Sequence, residues 1–278
     1  MKFKIVTEAS VDMPKKFAEE NDITILPIEI NFNGELYPEG LPNDEFYVKM
    51  KETGIIPKTS QPNQFKFETA LTPYCNKEDW FVLTIVISSN LAGTIAQAKN
   101  AVEALNMKNV YICDSEVTTF AEGALIIEIV NYIKKNNPTP EQAIEELERL
   151  KKKVRLVAAV SDLKYLKQGG RISGAAAALG TVLGIKPIIA LENGRVVNIA
   201  KKRGEQANLF MVDCVKNRDR KYPLYFGYSA DVKNIENFVQ KYHEQLDVNP
   251  NNIEYHSIGC VVGTHAGPGA YGMVYFEK

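Results

Sequence analysis

Cysteine and long apolar runs are both scarce in this sequence, and each scarcity argues against a class of protein. The four cysteines lie far apart and form no CxxC pair, so they do not indicate a zinc site. So few cysteines are typical of a reducing cytosol, and we expect a cytoplasmic protein. No apolar run approaches the ~20 residues that span a bilayer, and the first residues lack the apolar stretch of a signal peptide.

An excess of charge of one sign is also missing. The 33 basic and 34 acidic residues nearly cancel, so no strongly basic face is implied and nucleic acid is not an expected partner. No His, Asp and Glu spacing supplies convergent ligands, and we expect neither a metal nor another cofactor. The 278 residues, 45% of them hydrophobic, can bury a sizeable core in one large domain or two lobes.

The first half of the chain alternates strand and helix patterns. Residues 81–87 are nearly all apolar, which is typical of a central parallel strand covered on both faces. A helix, a strand at 110–113 and a second helix follow. Thr139 and Pro140 then indicate the start of a third helix, whose apolar spacing continues through Val154. This order predicts an open, mostly parallel sheet with helices on both faces.

The second half has a different pattern. Segments 186–191 and 195–200 flank Glu-Asn-Gly, which predicts a β-hairpin. Helical and strand patterns then follow one another to the end of the chain. We therefore predict an α/β fold of two lobes with a ligand between them. Residues 1–155 form the N-terminal lobe with its open parallel sheet, and residues 156–278 form a mixed α/β lobe.

Two segments of the N-terminal lobe have the residue types that bind anions. Thr59 and Ser60 can donate hydroxyl protons, although either can instead cap a helix that starts near Gln64. Residues 88–94 follow the most strand-like run and open a helix. Doubly wound sheets bind ligands at such places, and backbone N–H groups there favour an anion. The alternative is a loop that only caps its helix.

Two glycine-rich segments of the C-terminal lobe are also candidates. Residues 167–174 place Arg171, with its fork of donors, directly after Gly-Gly. Considered alone, that segment favours a solvated arginine. Residues 261–272 are interpreted as an unusual loop around His265. The G-x-G-x-x-G inside it is not a dinucleotide fingerprint, because the chain ends six residues later without a helix.

A second class of function stays open on the same residues. Ser89, Asp114 and His265 can be drawn as a Ser-His-Asp triad, which would make the protein a stand-alone hydrolase or phosphotransferase. No nucleophile elbow of the G-x-S-x-G type supports that hypothesis.

Together these segments resemble the DegV family of bacterial fatty-acid-binding proteins. Seven motifs occur in family order and cover nearly the whole chain, with the family domain expected over about 3–277. They are Val6-Thr7 with Asp12, Thr-Ser-Gln-Pro at 59–62, Ser-Ser-x-Leu-x-Gly-Thr at 88–94, Asp-Ser at 114–115, Gly-Gly-Arg-Ile-Ser at 169–173, Ile-Lys-Pro-Ile at 185–188, and Gly-Thr-His-Ala-Gly-Pro-Gly-Ala-x-Gly at 263–272.

The resemblance implies a lipid-binding protein of lipid metabolism without its own catalysis. Such a protein holds a long-chain fatty acid, such as palmitate, in a buried tunnel. It presents the carboxylate to a separate ATP-dependent fatty acid kinase subunit. By motif, Thr59 and His265 resemble the family's carboxylate contacts. Arg171 and Arg203 resemble basic positions linked to the head group and to partner or transient membrane contact.

Chemistry adds further expected donors, because a buried carboxylate must keep its hydrogen bonds. They are the Ser60 hydroxyl and the N–H groups of Ala92, Gly93 and Thr94, with Ser89 in support. His265, if protonated, can pair with the anion.

Two departures from the family pattern stand out. Ala92 replaces a serine whose hydroxyl is a carboxylate donor, and Glu8-Ala9 replaces the usual Asp-Ser. Either can alter ligand choice. The Ala-rich run at 174–180 would let structure approach closely, either along a tunnel or in tight helix packing.

Overall fold

The computed structural model describes residues 1–37, 43–172 and 184–278. Its strands are β1 (Lys2–Glu8), β2 (Thr24–Leu26), β3 (Glu29–Phe32), β4 (Glu35–Leu36), β5 (Lys58–Ser60), β6 (Trp80–Val86), β7 (Val110–Asp114), β8 (Val154–Ala159), β9 (Ile185–Glu192), β10 (Arg195–Arg203), β11 (Tyr225–Tyr228), β12 (Tyr255–Ser257) and β13 (Tyr271–Phe276). Its helices are α1 (Lys15–Glu20), α2 (Asn43–Thr53), α3 (Gln64–Leu71), α4 (Thr94–Ala104), α5 (Thr119–Asn136), α6 (Pro140–Lys153), α7 (Lys164–Gln168), α8 (Glu205–Cys214), α9 (Lys233–Leu246) and α10 (Cys260–Ala266).

The chain divides into two compact units. The first unit comprises Met1–Glu29 and Thr59–Lys152, and the second comprises Ile30–Lys58 and Lys153–Lys278. The first unit ends at Lys152, close to the boundary expected at residue 155. The second unit also contains a segment of the N-terminal half, which the sequence pattern does not reveal.

The first unit is built on a parallel sheet of order β2-β1-β6-β7. Its central strand β6 is the predicted apolar run, and Leu83 and Ile85 are fully buried. Burial of such a side chain contributes roughly 1.5–3 kcal/mol. Phe67 of α3 and Ala98 of α4 pack with this sheet in one apolar cluster. The predicted parallel sheet is therefore confirmed.

Helix α6 begins as the sequence predicts but ends earlier. The Thr139 N–H donates to Gln142 Oε1 at 3.0 Å, and the Gln142 N–H donates to Thr139 Oγ1 at 3.4 Å, which is a reciprocal capping box. The helix expected through Val154 stops at Lys153. Val154 instead opens β8 and pairs with Phe276 of β13, a partner far along the chain.

The second unit is built on a mixed sheet of order β10-β9-β8-β13-β11-β12. The predicted hairpin joins β9 to β10, and its two turn residues, Asn193 and Gly194, have φ of 49° and 74°. Positive φ at both positions suits the tight turn that matches strand twist. Phe238 and Val239 of α9 pack in the main core of this unit. The mixed C-terminal sheet is confirmed.

Residues 30–58 belong to the second unit, although the sequence analysis places them in the N-terminal lobe. The Tyr47 hydroxyl of α2 donates to the carbonyl of Ile258 at 2.8 Å, and Asn43 Nδ2 donates to Ser257 Oγ at 3.0 Å. A small sheet of order β4-β3-β5 contains the strands in which the chain leaves and re-enters the first unit. The hydrogen bonds of Tyr47 and Asn43 join residues more than 200 positions apart, so no local pattern signals them.

Within the three described ranges, no helix combines the length and the apolar character that crossing a membrane requires.

Candidate functional site

The predicted site residues fall into two groups, one in each unit. In the first unit, Thr59 and Ser60 form the end of β5. They do not cap α3, because Asn63 is its N-cap and accepts the Lys66 N–H at 3.0 Å. The capping alternative for the two hydroxyl residues is therefore wrong.

Gln61 joins the two predicted anion-binding segments of the first unit. Its Oε1 accepts the N–H of Gly93 at 2.7 Å. A Cβ added to Gly93 would lie 2.9 Å from the same oxygen, so a larger residue there would displace the end of the Gln61 side chain. The sequence motif contains Gln61, but its role in holding the two segments together has no sequence signal.

The loop at 88–94 offers fewer free donors than the sequence suggests. The Ala92 N–H donates to the Ser88 carbonyl at 3.1 Å, and the Gly93 N–H is taken by Gln61. Two of the three expected backbone donors are thus already engaged within the protein. Thr94 differs, since its side chain is fully buried and its Oγ1 has no hydrogen-bond partner in the described chain.

Thr94 is also the first residue of α4. The N-terminal end of a helix carries partial positive charge, which favours an anion. The Thr94 hydroxyl is therefore the best-placed anion donor that this loop shows.

Asp114 has a structural role beside the same loop. Its Oδ1 accepts the N–H groups of Ser89 at 3.1 Å and Glu116 at 3.2 Å. These bonds fix the turns that follow β6 and β7. The exposed Ser89 is thus positioned through its backbone.

In the second unit, His265 lies on a helix rather than in the predicted loop. Helix α10 begins after Gly259 and ends at Gly267, whose φ of 72° suits a glycine at a helix end. Gly263 is needed in this helix, because a Cβ there would lie 2.3 Å from the Tyr47 hydroxyl oxygen. Glycine spacing suggested a loop, whereas the glycines here serve helix packing and termination.

The Gly-Gly-Arg turn is built against His265. A Cβ on Gly169 would lie 2.2 Å from His265 Nδ1, so only glycine fits there. Gly170 has φ of 71°, which turns the chain so that the Arg171 guanidinium donates back to the Gly169 carbonyl. The structure therefore brings His265 and Arg171 together, as two motifs more than 90 residues apart in the sequence.

The electrostatics of this pair differ from the expectation of a protonated histidine. Burial, together with the positive charge of Arg171, lowers the pKa of His265 to about 4. His265 is therefore neutral near pH 7 and can donate one ring N–H. Burial also lowers the pKa of Arg171, but arginine stays charged, so the cation of this group is Arg171.

Arg203 and the Ala-rich run complete the predicted set. Arg203 ends β10 with an exposed side chain, and a Cβ on Gly184 would lie 3.5 Å from its Nε. The run at 174–180 and Ser173 lie outside the described residues. The part of the chain that is described holds no group of three His, Cys, Asp or Glu side chains suited to a metal ion.

A cluster of buried acidic groups at the carboxyl end of β1 is absent from the residues predicted from the sequence. Glu8 and Glu122 are fully buried, and the Ser10 hydroxyl lies within hydrogen-bond distance of both. The departure from Asp-Ser at Glu8-Ala9 was the available signal, but nothing in the sequence pairs Glu8 with Glu122.

Comparison with known proteins decides the family. The model for "Uncharacterised protein, DegV family" matches residues 2–278. The chain belongs to the DegV family. This DegV chain is 31% identical over 282 residues to Protein DegV of Bacillus subtilis, and the alignment covers both chains completely.

Two solved structures have the same fold over nearly their whole lengths. One is a DegV family protein from Thermus thermophilus described as binding fatty acid, with 28% identity, a TM-score of 0.85 and complete coverage of both chains. The other is a stearic acid-binding protein from Eubacterium ventriosum, with 26% identity and a TM-score of 0.86. That match covers 100% of this chain and 99% of the other.

Proposed function

We propose that this DegV protein binds a long-chain fatty acid in a buried tunnel. The observation that carries the proposal is the full-length likeness to two structures described as fatty-acid-binding, at TM-scores of 0.85 and 0.86. Each of them also exceeds 25% sequence identity. The seven motifs named above support the same conclusion, since they lie in family order.

The chemistry of a fatty acid suits the donors that the structure describes. Burying one CH₂ group contributes about 0.8 kcal/mol, so a tail of about fourteen methylenes contributes roughly 11 kcal/mol before ordering costs. The carboxylate needs donors once it leaves water. Thr59, Ser60 and Thr94 of the first unit and His265 of the second are the proposed donors, and Arg171 supplies positive charge.

Ala92 changes how this carboxylate is held relative to DegV proteins with a serine. The side-chain donor is missing, and the Ala92 N–H is engaged with Ser88. The proposed head-group contacts therefore depend more on the Thr94 hydroxyl and the His265 ring N–H. Arg171, beside His265, compensates the negative charge.

We also propose the finer role that the family resemblance implies. The protein presents its bound carboxylate to a separate ATP-dependent kinase, which forms an acyl phosphate. Arg203 is exposed and suits partner or transient membrane contact. Arg203→Ala is expected to leave fatty acid loading intact and to slow acyl phosphate formation, whereas a loss of loading would assign Arg203 to the binding site.

Native mass spectrometry of the purified protein tests the proposed function. We expect an added mass equal to one fatty acid, identified after extraction, and reloading of the stripped protein with palmitate. Thr94→Val, which keeps the shape of the side chain and removes its hydroxyl, should load less. A stripped protein that takes up no fatty acid would contradict the proposal, and His265-dependent hydrolysis of a chromogenic ester would support the hydrolase alternative.

A further inference from the structure

Two glutamates meet in the interior of the first unit, and no described residue forms an ion pair with them. Glu8 ends β1, Glu122 lies in the first turn of α5, and both are fully buried. Ser10 Oγ is 3.0 Å from Glu8 Oε1 and 3.3 Å from Glu122 Oε2. No ion pair in the described chain involves either glutamate.

The hydrogen count at Ser10 favours a proton on one of these carboxyls. A serine hydroxyl has one hydrogen to donate and can accept others. Ser10 can therefore donate to one glutamate only, and its contact with the other is a hydrogen bond only if that carboxyl is protonated and donates. An ionised carboxylate in that second contact would face the lone pairs of Ser10 Oγ.

The other hydrogen-bonding and charged neighbours of Glu8 and Glu122 also favour a proton on one of the two carboxyls. The Ile87 N–H donates to Glu8 Oε1 at 2.9 Å, and the Thr7 hydroxyl donates to Glu122 Oε1 at 3.3 Å. Glu8 Oε2 has no hydrogen-bond partner among the residues described. A further charged group that acts on Glu122 is Asp12, which is negative and accepts a hydrogen bond from the Thr119 hydroxyl. Two buried negative charges in these surroundings would be uncompensated.

The pKa shifts of the two glutamates also support one shared proton. Burial raises the pKa of Glu8 to about 7, even though the Ile87 and Ser10 hydrogen bonds lower it. Burial also raises the pKa of Glu122, and the nearby charge of Glu8 raises it further. Groups this close titrate as a pair, so the proton belongs to both.

The pair lies at the start of the loop that carries Thr94. Ile87, held by Glu8, leads directly into residues 88–94, and the Ser88 N–H donates to the Val117 carbonyl shortly before α5. A second negative charge in the pair would repel the first and loosen the bond that holds Ile87. A displacement of Ile87 would then shift residues 88–94, which carry the proposed donor Thr94.

We propose that Glu8 and Glu122 share one proton and act as positioning residues that make the loop at 88–94, and through it fatty acid binding, respond to pH. The part that concerns the fatty acid rests on the proposed function. The shared proton itself does not depend on any ligand.

The direction of the pH effect follows from the folded and unfolded states. An unfolded glutamate titrates near 4.5, whereas the pKa of Glu8 in the folded protein is about 7. Between those values the folded protein binds more protons than the unfolded chain. The stabilisation is complete below the unfolded pKa and is lost as pH rises through the folded one. Each proton makes the unfolding constant rise about tenfold per pH unit in that window.

Urea unfolding of the ligand-free protein between pH 4.5 and 8 tests the shared proton. Glu8→Gln and Glu122→Gln each keep the side-chain shape and remove one of the two titrating carboxyls, and the double variant removes both. The double variant should flatten the rise of the unfolding constant by about tenfold per pH unit, and each single variant should shift the pH window in which it rises. Glu145→Gln on the exposed face of α6 is the matched control and should keep the wild-type slope.

Infrared spectroscopy of the wild type provides a test that does not need a variant to fold. A buried protonated carboxylic acid should give a carbonyl band near neutral pH that vanishes as pH rises. The band should remain in Glu145→Gln and be missing in the double variant Glu8→Gln, Glu122→Gln. Absence of that band in wild type, or a pH slope identical in wild type and the glutamine variants, would overturn the shared proton.

Fatty acid affinity between pH 6 and 8 then tests the link to the loop. Wild-type affinity should fall more steeply with rising pH than that of Glu122→Gln, because titration of the ligand and of His265 is common to both proteins. Equal pH dependence in both would refute the link. If neither protein binds fatty acid, the proposed function fails, while the unfolding slopes still decide the shared proton.

Discussion

Gly169→Ala should displace His265 without changing any titratable group. The added Cβ would lie 2.2 Å from His265 Nδ1 and 3.0 Å from its Cε1. Ordinary contact begins near 3.4 Å, so the imidazole must move by about 1.2 Å. The backbone at Gly169 has φ of −72° and ψ of −9°, a right-handed helical conformation that alanine adopts readily. The loss therefore comes from the side-chain contact.

The expected magnitude has two opposing contributions. Alanine in an allowed conformation gains about 0.4–1 kcal/mol by restricting the unfolded chain. Overpacking a filled site costs about 1–3 kcal/mol. We expect the free energy of unfolding to fall by about 1–2 kcal/mol. A ring that has moved by about 1.2 Å would lose the hydrogen bond that we propose it donates to the carboxylate, so fatty acid affinity should fall by at least tenfold, or about 1.4 kcal/mol.

Gly170→Ala is the matched control for urea unfolding and ligand titration. Gly170 has open space around it but φ of 71°, so alanine costs about 1 kcal/mol of backbone strain and leaves His265 in place. Affinity should therefore stay near wild type. In a His265→Ala background, Gly169→Ala should no longer destabilise, because the clashing ring is gone. A Gly169→Ala protein with wild-type stability and affinity would refute this assignment.

Three further predictions use other contacts. Thr59→Ala and His265→Ala should each weaken fatty acid binding by about 1.5–3 kcal/mol, and the double variant should lose less than the sum if both hold one carboxylate. Wild-type affinity in both single variants would contradict this. Because the folded pKa of His265 is about 4, stability should be lost as pH falls from about 6.5 to 4. At about 1.36 kcal/mol per unit, the loss approaches 3 kcal/mol, and His265→Gln should remove it from the acid limb of a urea-unfolding profile. Gly263→Ala should cost about 1–3 kcal/mol because its Cβ meets the Tyr47 hydroxyl at 2.3 Å, and Tyr47→Phe should relieve only part of that cost in a thermal-unfolding cycle, since the ring carbon Cζ stays at 2.8 Å.

The parts of the fold that follow from local pattern were predictable. The run at 81–87 became the buried centre of the parallel sheet, and Glu-Asn-Gly became the turn of the hairpin. Thr139 and Gln142 cap α6 as their spacing predicts. In each case the element is determined by residues a few positions apart or by the apolar character of the segment itself.

The parts set by distant contacts were not predictable. Val154 fits the apolar spacing of α6 but forms β8, because its partner is Phe276. The segment at 30–58 belongs with the second unit through bonds from Tyr47 and Asn43 to residues near 258. Neither contact leaves a trace in local composition.

The candidate site shows the same division. The motifs predict Thr59 and His265 as carboxylate contacts, and chemistry adds the N–H group of Thr94 as a further expected donor. The protonation of His265 depends on burial and on Arg171, which only the folded chain brings beside it. The engagement of Gly93 by Gln61 likewise depends on tertiary structure.

Carboxylate recognition is the central claim, and calorimetric titration of the stripped protein tests it most directly. Palmitate and methyl palmitate have the same tail, but only palmitate presents an anion to the proposed donors. The account predicts that palmitate binds with a 1:1 stoichiometry and that the ester binds at least tenfold more weakly, a difference of about 1.4 kcal/mol. Equal affinity for the two ligands, or binding of neither, would contradict it.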